Sequence, residues 1–267
     1  MKIYKDYTSN DLLCNEPCFV DLMNGYIYPV TVNDYRKNFI KYGVYIVHNK
    51  KTLGLPQEIS LMNGIIFSVT SVVKKEKKMN DQDALIYVLN QMAELFSLVT
   101  RKEIIPKIRR SENSLENIYF SDKEGKIKID SNNFNVIKQI ILKMNLLKEA
   151  RYHEREIDKM WEEKAMLAKE KNSPKLEIGE IMLIVSQDMK WDLNYINNEL
   201  NIFQLYAYYY RICKVDDSAK TSMFACVSSS IKPTPFVRGV YEDLYRDPYD
   251  DLNVKDTSGF FKGLKGN

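Results

Sequence analysis

Apolar positions recur at helical spacing over most of this chain. Ile178, Ile181, Met182 and Val185 fall at i, i+3, i+4 and i+7, which is one face of a helix. Leu200, Phe203, Ala207 and Tyr210 form a second stripe, with Ile202, Leu205, Tyr206 and Tyr209 beside it. So many large side chains on one helix imply burial around most of its circumference. Tyr206, Tyr209 and Tyr210 are therefore expected in a core or an interface. A short polar connection around Lys190–Ile196 joins the two helices. Leu85, Val88, Leu89, Met92, Leu95 and Phe96 repeat the pattern behind an Asn80 cap. Phe134, Ile137, Ile140, Ile141 and Met144 repeat it after Ser131. A helix over about 58–73 is weakened by Gly64 and by β-branched residues, and Lys74–Lys78 ends it. Thr31 or Asn33 caps a further helix carrying Tyr35, Phe39 and Tyr42, which Gly43 breaks.

Two stretches alternate as strands. Cys18–Leu22 and Tyr26–Val30 flank Asn24-Gly25, the pattern of a hairpin with a type I′ turn. Ile118–Phe120 and Ile127–Ile129 flank Asp122–Gly125 in a second hairpin. Residues 1–13 read as a polar arm and 101–117 as a charged connection. Residues 150–171 alternate in charge around Ile157, Met160, Trp161 and Leu167, and read as a solvated helix or helical arm. The predicted fold is mainly α with two small β-hairpins (α+β), a helical body followed by an extended C-terminal tail. Its parts are a β-hairpin and helical part at 1–112, a hairpin plus helical core at 113–228, and an extended arm at 229–267.

Composition changes this picture little. Hydrophobic residues are 45% and charged residues 28% of 267, the profile of a globular chain with a real core. A formal charge of +3 is too small to indicate nucleic acid by itself. No apolar run reaches membrane-spanning length and the first residues do not form a signal peptide. The expected location is a host cytoplasm during assembly, with retention in a finished particle left open. Four cysteines, Cys14, Cys18, Cys213 and Cys226, are too scattered for a disulfide framework and read as buried free thiols.

No catalytic set assembles along the chain. His48 reads as a helix-end histidine. His153 lacks a second histidine four residues on, so the HExxH zinc pattern is absent. Cys14 and Cys18 have no tight partner pair for structural zinc. Asp122 and Glu124 fall on a hairpin turn, where acids serve local hydrogen bonding. There is no phosphate loop, dinucleotide fingerprint or nucleophile elbow. Neither an enzyme nor a cofactor is expected, although Asp81, Asp83 and His153 are the residues from which a scattered site would have to be built. The second core helix offers Gln204, Arg211 and Lys214 to a nucleic-acid groove, but among tyrosines and aliphatics. The alternative is a nucleic-acid-binding protein using the basic surface of the middle segment, at Arg101-Lys102 and Lys107–Arg110.

Several segments carry a resemblance in pattern. Pro29-Val-Thr-Val-Asn-Asp-Tyr35 leads into helices. Later come Gly179-Glu-Ile-Met-Leu-Ile-Val-Ser186, the step Trp191-Asp-Leu-Asn-Tyr-Ile196 and the helix Asn201-Ile-Phe-Gln-Leu-Tyr-Ala-Tyr-Tyr-Tyr-Arg-Ile212. Over residues 29–49 and 127–214 the chain resembles tail-morphogenesis proteins of phages infecting Gram-positive bacteria, the kind often described as tail assembly chaperones. The resemblance implies a non-catalytic helical protein that binds a tape-measure protein or another tail or baseplate component, with a second copy of itself as a further candidate. It implies no membrane contact. The tail adds its own reading. Prolines and glycines exclude a long helix there, yet Phe236, Tyr241, Leu244, Tyr245, Tyr249, Phe260 and Phe261 supply many apolar anchors. They are the expected partner-binding residues of an arm that docks across a neighbour; the alternative is that the tail folds back over its own chain.

Overall fold

The computed structural model describes residues 7–111, 114–172, 176–228, 230–233 and 244. Contacts divide the chain into two compact units, residues 1–152 with 177–212 and residues 153–176 with 213–267. The described architecture is mainly helical with two small antiparallel sheets, as the periodicity predicts.

In the first unit, helix α1 (Ser9–Leu13) precedes strands β1 (Cys18–Val20) and β2 (Gly25–Ile27), which pair antiparallel. Residues 7–13 are therefore no free arm. Leu12 is fully buried, and the Tyr7 hydroxyl donates to the Glu16 carbonyl (2.5 Å). The expected type I′ turn is also replaced. Asp21–Met23 make a 3-10 turn, and only Asn24 takes the left-handed conformation, at φ 52°. Gly25 lies in β2 opposite Val20. It is small for another reason: a Cβ there would stand 3.0 Å from both Ile127 and Met23.

Helix α2 (Val32–Lys37) starts at Thr31, whose hydroxyl accepts the Asp34 N–H (3.2 Å), and gives way to a 3-10 segment at Phe39–Tyr45. Helices α3 (Leu61–Lys77) and α4 (Asp81–Thr100) follow, capped by Ser60 and Asn80. Gly64 costs α3 helix propensity because the packing requires it. A Cβ at that position would lie 2.1 Å from a methyl of Leu55. Gly64→Ala should therefore forfeit the roughly 1 kcal/mol that alanine normally brings to a helix and destabilise by about 1–3 kcal/mol through overpacking. Thermal melts of the variant, with and without Leu55→Ala, check this; the second change should restore stability.

Strand β3 (Ile104–Ser111) pairs with β4 (Ser114–Asp122), which pairs with β5 (Lys128–Ile129). The segment read as a charged connection is thus mostly strand, and the second sheet has three strands. Its apolar signal is thin because β3 is an edge strand containing Pro106. Phe120 of β4 meets Phe96 of α4 edge-on (centroids 5.0 Å apart). Phe134, on α5 (Phe134–Met144), completes the aromatic cluster.

The core pair is a trio. Helix α7 (Ile178–Met189) and helix α9 (Ile202–Ala225) are joined by helix α8 (Leu193–Glu199), where the sequence suggests only a connection. Asp192 caps α8, accepting the Asn194 N–H (2.7 Å). Ile181, Met182, Val185, Ile196, Leu200, Ile202 and Leu205 form one buried cluster with Val32. Burial on α9 stops near Ala207. Its first turn, Ile202–Leu205, is buried all round, as expected, whereas Tyr206, Tyr209 and Tyr210 are half-buried at the margin. In addition, α9 continues through Asp216-Asp217 to Ala225. An ion pair between Asp216 and Lys220 (2.6 Å) spans one turn there.

Candidate interaction surfaces

Helix α6 (Glu156–Asn172), in the second unit, is amphipathic in the wrong sense for a self-contained fold. Ile157, Met160, Trp161 and Leu167 share one face, since their spacing keeps them within about a third of the helical circumference. All four are exposed, Trp161 by 67% and Leu167 by 58%. The partly covered residues are instead Asp158, Glu162, Ala165 and Met166, on the opposite side. The His153 Nε2 pairs with Glu162 on that covered side. The end of α9, in the same unit, adds exposed Met223 (72%) and Phe224 (58%).

Open clefts indent the first unit. One, of about 590 Å³, is lined by Asn38, Lys41, Tyr42, Glu94, Ser97 and Ile105 among others. The Tyr42 hydroxyl donates to Glu94 (2.5 Å), and Gln91 donates to the same oxygen (3.1 Å). Ser97 is no nucleophile in waiting. It donates to the Ala93 carbonyl and accepts the Ile104 N–H, tying α4 to β3. Burial pushes the Tyr35 and Tyr45 hydroxyls up to about 12, and burial followed by the Glu94 hydrogen bond raises Tyr42 further. A raised folded-state value favours the protonated hydroxyl, so its contribution is intact below the ordinary tyrosine value and is lost as pH climbs. Stability should therefore fall from about pH 10 upward. Urea melts at rising pH should show this fall, and Tyr42→Phe should make it shallower.

The second cleft, of about 660 Å³, is lined by Asn49, Lys50, Gln57, Ser60, Gln139 and Glu149 among others. Beside it lies Lys138, fully buried. Its ammonium donates to the His48 carbonyl (2.7 Å) and pairs with Glu149, which also accepts from Gln139 (2.6 Å). This buried charge is invisible in the sequence, where Lys138 is one lysine among many.

The residues singled out from sequence do not converge. Asp81 pairs with Lys74 (2.7 Å), and Asp83 joins Asn80 (2.8 Å), both at the start of α4. His153 lies in the other unit and, contrary to its reading as a residue on a solvated face, is paired with Glu162. Among the described residues no three His, Cys, Asp or Glu side chains form a metal-sized group. Of the cysteines only Cys18 is buried, its thiol pushed up to about 11 by that burial; Cys14, Cys213 and Cys226 are exposed, against expectation. Gln204 is not presented to a groove. It is buried, accepts the Asn201 N–H (2.9 Å) and donates to the Leu13 carbonyl (2.7 Å). The basic run from Lys107 falls within β3. Among the arm anchors, Phe236, Tyr241, Tyr245, Tyr249, Phe260 and Phe261 lie outside the described residues. Leu244 is buried (9% exposed). Among the described residues no helix is long and apolar enough to cross a membrane.

No curated protein and no solved structure matches this chain. Residues 169–237, which include α7, α8 and α9, match the family described as the YomV second domain, a phage-derived family. The match covers about a quarter of the chain, and the similarity points to a phage protein.

Proposed function

We propose that this chain is a non-enzymatic phage tail or baseplate-associated protein that works by protein–protein contact during tail assembly in the host cytoplasm. The observation that carries the reading is the outward apolar face of α6. Four large apolar side chains in water on one face of a helix, with Asp158 and Glu162 on the partly covered side, are costly unless another protein covers them. The phage-derived similarity over 169–237 supports the setting. In the same unit as α6, exposed Met223 and Phe224 offer further apolar contacts to partners such as a tape-measure protein. Co-expression with the tail proteins of the same genome tests the proposal. A complex surviving size-exclusion chromatography and lost on Trp161→Asp with Leu167→Asp is expected. Strongly salt-dependent retention on DNA without such a complex would overturn it in favour of a nucleic-acid-binding protein.

A further inference from the structure

We infer that the outward face of α6 is covered by α6 of a second copy of this chain, the two helices running antiparallel about a two-fold axis. This deepens the proposed role in protein contact and rests on it. The apolar stripe alone does not choose its occupant; the charges of the helix do. Asp158 and Glu162 face the covered side and are held by Arg155 and His153, so the acids bordering the stripe are Glu156 and Glu163, in the first half of the helix. Lys164 and Lys171 lie along the exposed face in the second half. Laying a second copy antiparallel sets each acidic half against a basic half. A parallel pair would set like charges side by side, which is unfavourable.

The geometry of the stripe agrees with this arrangement. Trp161 and Leu167 are six residues apart and lie on the same exposed face. With the axis near Lys164, Trp161 of each copy meets Leu167 of the other, while Ile157 and Met160 pack outside them. Lys164 then stands at the axis, where two ammonium groups would repel each other. Its amine already leans over the Trp161 ring, 5.9 Å from the centroid, so its stem can cover the ring while the charge stays in water. A symmetric pairing needs only one surface patch, the same on both copies. Seventeen residues make a helix about 25 Å long, so the contact is small and dissociation constants in the micromolar range follow.

Sedimentation velocity of the full chain tests the inference. The expected result is a monomer–dimer equilibrium, shifted to monomer by Trp161→Asp with Leu167→Asp at unchanged circular dichroism and melting temperature. These positions are exposed, so the variants should fold. Lys164→Glu with Lys171→Glu should weaken the dimer, and adding Glu156→Lys with Glu163→Lys should restore it. Orientation is read by cross-linking after Cys14, Cys213 and Cys226 are replaced by serine. A mixture of Glu156→Cys and Lys171→Cys chains should form a disulfide between unlike chains, and Glu156→Cys alone should not. A monomer at every concentration, a dimer indifferent to the Asp substitutions, or efficient Glu156→Cys self-linking would each overturn the pairing. A monomer whose complex with tail proteins is still lost on the Asp substitutions would overturn self-pairing alone and leave the protein-contact role standing.

Discussion

Glu149→Ala should be among the most damaging single changes in the first unit, costing about 3–5 kcal/mol because it strips the counter-charge from a buried ammonium. Lys138 is fully enclosed, and without Glu149 it would still donate to the His48 carbonyl but would lack a counter-charge there. Lys138→Met should cost less, about 1–3 kcal/mol. It removes the buried charge and keeps an apolar stem in place. The carboxylate it abandons is 29% exposed and can turn to water. The order of the two effects is the informative part, since a simple sum of contacts would rank them equally. Urea denaturation of both variants measures it. At roughly 2–4 °C per kcal/mol for a unit of this size, the Glu149 variant should also melt about 10 °C lower.

Asn201→Ala is the second large expected effect, about 3 kcal/mol from a lost cap and from polar groups stranded in the interior. Asn201 is fully buried at the start of α9. Its side-chain oxygen accepts the Gln204 N–H (2.8 Å), while Gln204 returns the bond to the Asn201 N–H, a reciprocal capping box. Its amide nitrogen also donates to the Leu12 carbonyl and the Asn15 side chain, both at 3.0 Å. The same corner holds the pairing of Thr31 with Asn201 and the bond from Val32 N–H to the Leu200 carbonyl (2.9 Å). One residue thus joins α1, the approach to α2 and α9. Asn201→Asp keeps the cap but sets a buried carboxylate oxygen against two acceptors, the Leu12 carbonyl and the Asn15 Oδ1, so its melt should fall no higher than that of the alanine variant.

What the sequence discloses and what it hides divide along physical lines. Helices whose apolar face meets the protein's own core announce themselves: Val88, Met92 and Phe96 on α4 and Ile181 and Val185 on α7 are all buried. The caps Thr31 of α2 and Asn80 of α4 are equally legible because the hydrogen bonds are local. Strand β3 is hidden, although its partner is the next strand along the chain, because half its residues are charged or proline. Lys138, Gln204 and Asn201 are hidden for a different reason, since only tertiary contact distinguishes a buried amide or ammonium from a solvated one. The stripe on α6 is visible as a pattern, but its direction is not. Periodicity shows that Ile157, Met160, Trp161 and Leu167 share a face, and cannot say that the face looks outward.

That outward face is where the functional account is most exposed to test. Particle assembly can be followed by electron microscopy in a phage lacking the gene for this chain, supplied with either wild-type protein or the Trp161→Asp, Leu167→Asp variant. The account predicts tails with wild-type protein, and tailless heads both with no protein and with the folded variant. Normal tails in the complete absence of the chain, or with the variant, would contradict it.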